Sequence, residues 1–314
     1  MSTAPDSAPS SPFTGVVPPV VTPLTEDGAV DTASLERLVG HLLEGGVHGL
    51  FALGSSGETA YLTPDQQQTV LETVTGAAAG QVPVLAGAIE PTTNRVVERA
   101  RVAAKAGADA IVATAPFYTR THVTELGPHF RQIAGSVELP LLAYDVPVCV
   151  HTKLAPATVL SLAAEGVLAG VKDSSGDDVG FRQLVLGSRE LPGFAALTGH
   201  EVVVDGMLLG GADGVVPGLG NVDPRGYVRL YEAARRGDWA AAKAEQDRLA
   251  RLFALVDAVE PGTASGTTGG IGGFKTALAL RGVIRTPAVS PPMRAHTEPE
   301  TARVRTCLEE AGLL

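Results

Sequence analysis

The chain has 314 residues, 45% of them hydrophobic, and sets 34 acidic against 24 basic side chains for a net charge of −10. That excess of carboxylates repels nucleic acid and anionic membranes, so neither is expected as a partner. Two widely separated cysteines, Cys149 and Cys307, read as reduced thiols of a cytoplasmic protein.

The opening MSTAPDSAPSSP has neither the basic nor the apolar region of a secretory leader, and its Ser, Pro and Ala content predicts a disordered tail over 1–12. No apolar run approaches the roughly 20 residues that cross a bilayer. From there short apolar runs alternate with longer amphipathic stretches. Strands are predicted at 15–23, 49–54, 82–88, 109–116, 140–147, 168–174, 194–199 and 214–220. Helices are predicted near 32–45, 64–79, 92–106, 122–135, 155–165, 177–189, 201–210 and 223–236. Thr63-Pro64 and Asp223-Pro224 pair an N-cap with a proline at the first helical position, and Ala155-Pro156 does so less well. Gly45, Gly80, Gly107, Gly166 and Gly211 stand where those helices should end.

Nearly continuous apolar strands indicate a parallel sheet covered on both faces. Eight strand-then-helix units at a spacing of roughly 25–30 residues predict an α/β fold, a (β/α)₈ TIM barrel over 13–236. The rest, 237–314, reads as a C-terminal helical extension packed on that barrel. It comprises a long amphipathic helix with Leu249, Leu252, Phe253 and Val256 on one face, a Gly/Thr-rich loop at 262–273, a helix near 274–282 and a closing helix.

Catalytic groups of such barrels gather at the C-terminal ends of the strands. Lys172 emerges there from LAGV at the end of the sixth strand, whereas Lys105, Lys153, Lys243 and Lys275 read as solvated. Partial desolvation favours the neutral amine that attacks a ketone; the alternative is an ion pair with Asp173. Tyr144 ends the fifth strand and Tyr118 follows the fourth, and each reads either as a proton shuttle or as a packed phenol. GSSGE at 54–58 follows the second strand and offers hydroxyls and backbone N–H groups as a carboxylate cradle, with Glu58 ordering the turn. The seven histidines have no metal-ligand spacing, and Cys149-x-His151 supplies only two of the four ligands a zinc site needs.

GSSGE, APFYTR, AYDVP and GVKDSSGD, in this order and at these strand ends, together resemble the dihydrodipicolinate synthase / N-acetylneuraminate lyase family, class I pyruvate-dependent aldolases. The resemblance implies that Lys172 forms a Schiff base with pyruvate or a related 2-oxo acid, so that neither a metal nor an organic cofactor is needed. It implies Tyr144 as the acid/base, and Ser55 as the link from Tyr144 to Tyr118 in a hydroxyl relay. Ser56 and Gly57 would hold the carboxylate, and Ser174, Gly199, Glu201 and Val216 would line the rest of the substrate site. Tyr118 in this family often reaches a neighbouring subunit, which implies a homotetramer built as a dimer of dimers. The partners implied are small molecules, a 2-oxo acid and an aldehyde.

The sequence also departs from the family's synthases. Cys149 stands where they usually carry an arginine that binds the aldehyde's carboxylate, and a neutral thiol makes no bidentate contact. Sialate lyases have an adjacent acidic pair where Glu201 is followed by Val202. DSSGD resembles sugar-acid aldolases, so a 2-keto-3-deoxy sugar acid is the expected substrate. The alternatives are a 4-hydroxy-tetrahydrodipicolinate synthase joining pyruvate to aspartate semialdehyde, a deoxy sugar acid dehydratase working through the same imine, and a non-catalytic relative that binds oxo acids.

Overall fold

Each predicted apolar run contributes one short strand. In chain order these are β1 (Gly15–Val16), β2 (Leu50–Ala52), β3 (Val84–Gly87), β4 (Ala110–Thr114), β5 (Leu141–Asp145), β6 (Gly170–Asp173), β7 (Ala195–Thr198) and β8 (Gly214–Val215). The computed structural model describes residues 11–314. The tail expected over 1–12 therefore lies, but for its last two residues, outside the described residues.

All neighbouring strands run parallel, in the order β1-β8-β7-β6-β5-β4-β3-β2. The sheet is curled. Just beyond β1, Pro19 bridges Phe51 of β2 in parallel, Phe51 N–H donates to the Pro18 carbonyl at 3.0 Å, and Val20 N–H donates to the Phe51 carbonyl at 2.9 Å. Every strand residue is buried, as a sheet covered on both faces requires.

The covering helices follow their strands: α1 (Thr32–Glu44), α2 (Pro64–Ala78), α3 (Thr93–Lys105), α4 (Val123–Ala134), α6 (Pro156–Ala164), α7 (Asp178–Ser188), α8 (Val204–Leu209) and α9 (Pro224–Arg235). A one-turn helix, α5 (Pro147–Val150), falls inside what reads in sequence as plain loop. The caps form as chemistry dictates. Thr63 accepts from Gln66 N–H in a full capping box and Asp223 accepts from Gly226 N–H, while Ala155 has no oxygen to offer. Gly107 takes the left-handed conformation of a helix terminator, but at the end of α1 that role passes from Gly45 to Gly46.

Beyond α9 lie α10 (Trp239–Phe253), α11 (Gly266–Leu280) and α12 (Glu298–Glu310). Leu249 and Leu252 face the core as expected. The Gly/Thr-rich segment differs from expectation: α11 begins at Gly266 behind a Ser265 N-cap and contains five glycines. Two of those glycines permit contact that a larger residue would crowd. A Cβ on Gly269 would lie 2.4 Å from the Val256 carbonyl oxygen, and one on Gly273 would lie 3.0 Å from Leu255. Close packing therefore overrides the poor helix propensity of glycine. It also carries Lys275 inside. That side chain is fully buried, not solvated, and pairs with buried Glu58.

Candidate active site

The catalytic face is assembled from strand ends. Tyr144 and Lys172 occupy one rung of the β5–β6 ladder, and Thr114 lies beside Tyr144 on the β4 side. Residues on the same rung of parallel strands point the same way, so the phenol and the amine are delivered to one mouth. Lys172 is buried, and its Nζ lies 4.1 Å from the centre of the Tyr144 ring and 5.2 Å from that of Phe51. Phe51 also stands edge-on to Tyr144, with ring centres 6.3 Å apart. The sequence reading missed this aromatic wall, although Phe51 sits centrally in the second apolar run.

The ion pair that competed as an explanation for Lys172 is not formed. Asp173 turns to Lys153, 3.6 Å away, and accepts the Ser175 N–H at 2.8 Å. Among the described residues no carboxylate pairs with Lys172. Ser55 Oγ is 3.4 Å from the Tyr144 hydroxyl, which joins two of the three expected hydroxyls. Tyr118 is not joined to them within this chain: it lies on the β4–α4 connection at φ 67° with 96% of its surface exposed.

The GSSGE turn is held in unusual backbone. Leu53 and Glu58 on its flanks both have positive φ, 56° and 61°. Such strain persists only when the surroundings over-determine it. Here the Glu58 carboxylate is clamped by Lys275 and by the Ser290 N–H at 2.8 Å. Gly57 fits because a Cβ there would meet the Val20 carbonyl oxygen at 2.9 Å. Ser56 is left half-buried between them.

On the other side of the mouth, Gly199 N–H donates to the Asp173 carbonyl at 2.7 Å and Val216 N–H to the Thr198 carbonyl at 2.8 Å. A Cβ on Gly199 would lie 2.0 Å from Ser174 Oγ and 3.1 Å from the Asp173 carbonyl oxygen, so a larger residue there would have to turn the serine aside. The Glu201 carboxylate accepts the Leu219 N–H at 2.6 Å. Burial pushes Glu201 up to about 7, although backbone hydrogen bonds from Leu219 and Gly218 and the Lys172 charge pull it down. It therefore stands ready to hold or release a proton near neutrality.

A cavity of about 290 Å³ opens beside Ser55 and Ser56. Ile89, Phe117, Val146, Val150, Ile271 and Phe274 give it apolar walls, Tyr61, Thr114 and Cys149 line it too, and among the described residues no Asp, Glu, Lys or Arg does. Burial pushes the Cys149 thiol up, partly offset by the Lys172 charge, so it stays a neutral lining group. Among the described residues no three His, Cys, Asp or Glu gather as a metal site, and no helix is long and apolar enough to cross a membrane.

Comparison with known proteins places this geometry in context. The model of the dihydrodipicolinate synthetase family matches residues 12–311. The chain is 36% identical to a DapA-like lyase of Halobacterium salinarum, over 99% of this chain and 98% of that one. It is 34% identical to the 4-hydroxy-tetrahydrodipicolinate synthase of Kineococcus radiotolerans, over 100% and 98%. The structure of YagE, a prophage protein of Escherichia coli K12 solved in complex with pyruvate, superposes with a TM-score of 0.89 at 31% identity, covering 96% of this chain and 99% of that one. The name of YagE assigns it provisionally as a 2-dehydro-3-deoxy-D-gluconate aldolase.

Proposed function

Because this chain belongs to the dihydrodipicolinate synthetase family, we propose that it is a class I carbon–carbon lyase in which Lys172 condenses with pyruvate or a related 2-oxo acid. The observation that carries this reading is a buried amine with no carboxylate partner among the described residues, 4.1 Å from the centre of the Tyr144 ring. The curled eight-stranded sheet is read as a closed (β/α)₈ barrel over 13–236, with 237–314 as its helical extension. The hydrogen bonds between the Pro18–Val20 segment and Phe51 support that closure.

The chemistry follows from the neighbours. The neutral Lys172 amine attacks the C2 carbonyl of the oxo acid, and the carbinolamine hydroxyl takes a proton from Tyr144 and leaves as water, giving a protonated imine and a Tyr144 phenolate. In cleavage, Tyr144 takes the proton of the C4 hydroxyl, the C3–C4 bond breaks, and its electron pair moves onto the imine nitrogen. An aldehyde departs and an enamine remains, which is protonated at C3 and then hydrolysed. Addition of the enamine to an aldehyde is the reverse. Ser55 passes protons to and from Tyr144, and Ser56 with the Gly57 backbone receives the carboxylate. Tyr118, exposed in the single chain, completes the relay from a second copy within a dimer of dimers.

The cavity beside Ser55 bears on the aldehyde. With no charged side chain on its wall, it suits a neutral aldehyde better than the carboxylate-bearing aspartate semialdehyde, because burying an unpaired carboxylate is costly. A 2-keto-3-deoxy sugar acid, which yields a neutral hydroxyaldehyde, meets that condition, and the hydroxyl edge at Ser174 fits it. The synthase reading rests on relatives such as the Kineococcus enzyme.

A borohydride trap tests the proposal. Incubation with pyruvate, reduction and mass spectrometry should find the adduct on the peptide containing Lys172; no mass gain there overturns the mechanism. An assay with aspartate semialdehyde set beside 2-keto-3-deoxy sugar acids then separates synthase from aldolase.

A further inference from the structure

One rung beyond Tyr144 and Lys172, the β5–β6 ladder pairs Asp145 with Asp173. Both are buried and both end their strands, so two carboxylates face each other across parallel strands, an arrangement that like charges disfavour. Lys153 resolves it. Its Nζ bonds Asp145 Oδ2, lies 3.6 Å from Asp173 Oδ2 and 4.0 Å from Asp177 Oδ2, and donates to the Leu154 carbonyl at 3.3 Å. The remaining oxygens are tied to backbone: Asp145 Oδ1 accepts Leu154 N–H at 3.0 Å, and Asp173 Oδ1 accepts Ser175 N–H at 2.8 Å. Asp173 Oδ2 is buried without any hydrogen bond, so the nearby ammonium is its compensation.

We propose that Lys153 is a positioning residue: by joining the two carboxylates it holds the ends of β5 and β6 together, and so sets the spacing of Tyr144 and Lys172 on the rung before. The inference rests on the lyase reading above. Lys153 touches neither reacting atom; it acts through the strand ends. Without its charge, Asp145 and Asp173 repel at their shared rung, and the Ser174 N–H to Asp145 carbonyl bond of 2.9 Å that ties the strand ends together is loaded directly. Burial already raises the Asp145 pKa, as does the Asp173 charge, while the Lys153 and Leu154 hydrogen bonds lower it.

Misplacing a catalytic group by about 1 Å costs on the order of 10²-fold in rate. Lys153→Met should therefore lower kcat by roughly that factor, with KM for pyruvate changed only about two- to threefold because the carboxylate cradle lies on the β2 side. Lys153→Arg, which keeps the charge, should retain most of the turnover. The deciding variant is Lys153→Met with Asp145→Asn, which removes the repulsion together with its counter-ion and should recover most of the lost kcat. It decides the matter even where Lys153→Met alone fails to fold. Wild-type turnover in Lys153→Met, or a double variant as slow as a folded single one, overturns the proposal. So does a double variant that does not fold. If wild-type protein gives no adduct on Lys172 in the borohydride trap, the lyase reading itself fails and this inference falls with it; an adduct in the wild type with unchanged kinetics in Lys153→Met sinks the positioning role alone.

Discussion

Lys172 and Tyr144 carry the proposed bond-making and proton transfer, and each loses something different when changed. Lys172→Ala removes the amine proposed to form the imine, so turnover should vanish while circular dichroism stays native; retained activity rejects the assignment. Tyr144→Phe keeps the ring above the amine but deletes the hydroxyl that meets Ser55, and should slow turnover by about 10²–10⁴, measured as kcat on the cleavage assay. Glu201 makes a prediction about stability. Burial keeps its proton in the folded chain up to about 7, whereas a solvated glutamate loses its proton near 4.3. Its contribution is thus fully present below about pH 4 and is lost as pH rises through about 7. Glu201→Gln should leave urea stability unchanged near pH 4 and raise it by about 1–2 kcal/mol near pH 8. Equal effects at both pH values would show that the wild-type carboxyl is already ionised.

At the level of single elements, α11 is the instructive case. Replacing glycine by alanine inside a solvated helix gains about 1 kcal/mol. At Gly269 the added Cβ would meet the Val256 carbonyl oxygen at 2.4 Å, and overpacking of that kind costs about 1–3 kcal/mol. Gly269→Ala should therefore lower the unfolding free energy in urea. Gly270, with open space around its notional Cβ, serves as the control, where the same change should stabilise. The GSSGE turn follows similar logic, since the positive φ of its Glu58 is tolerated while Lys275 and the Ser290 N–H hold the carboxylate.

Across the whole molecule, the buried Glu58–Lys275 pair fastens the turn after β2 to α11, and Glu58 reaches on to Ser290 N–H. Removing one member leaves a buried charge unmatched, at a cost of about 3–5 kcal/mol. Lys275→Met should show that loss in chemical denaturation and make 237–314 more sensitive to limited proteolysis, while adding Glu58→Gln should restore most of it. A double variant as unstable as Lys275→Met would mean that the stem of Lys275, not its charge, matters. Tyr118 is exposed in this chain, and the proposed dimer of dimers would cover it with a second copy. Sedimentation should find a species of four chains, and a fully active monomer would rule out a Tyr118 lent by a second copy.

The eight strands, the helices between them and the placing of Lys172, Tyr144 and Ser55 at strand ends were legible in the sequence. Each depends on local pattern: apolar runs, caps and the residue that follows the last buried position. The helix over 266–280 was not, because glycine argues against helix until Val256 and Leu255 are known to lie against it. Nor were the partners of Lys153 and Lys275, which look solvated by local composition. Glu58 is far from Lys275 in the chain, and although Asp145 is near Lys153 in sequence, only the folded sheet sets it beside Asp173 around one ammonium.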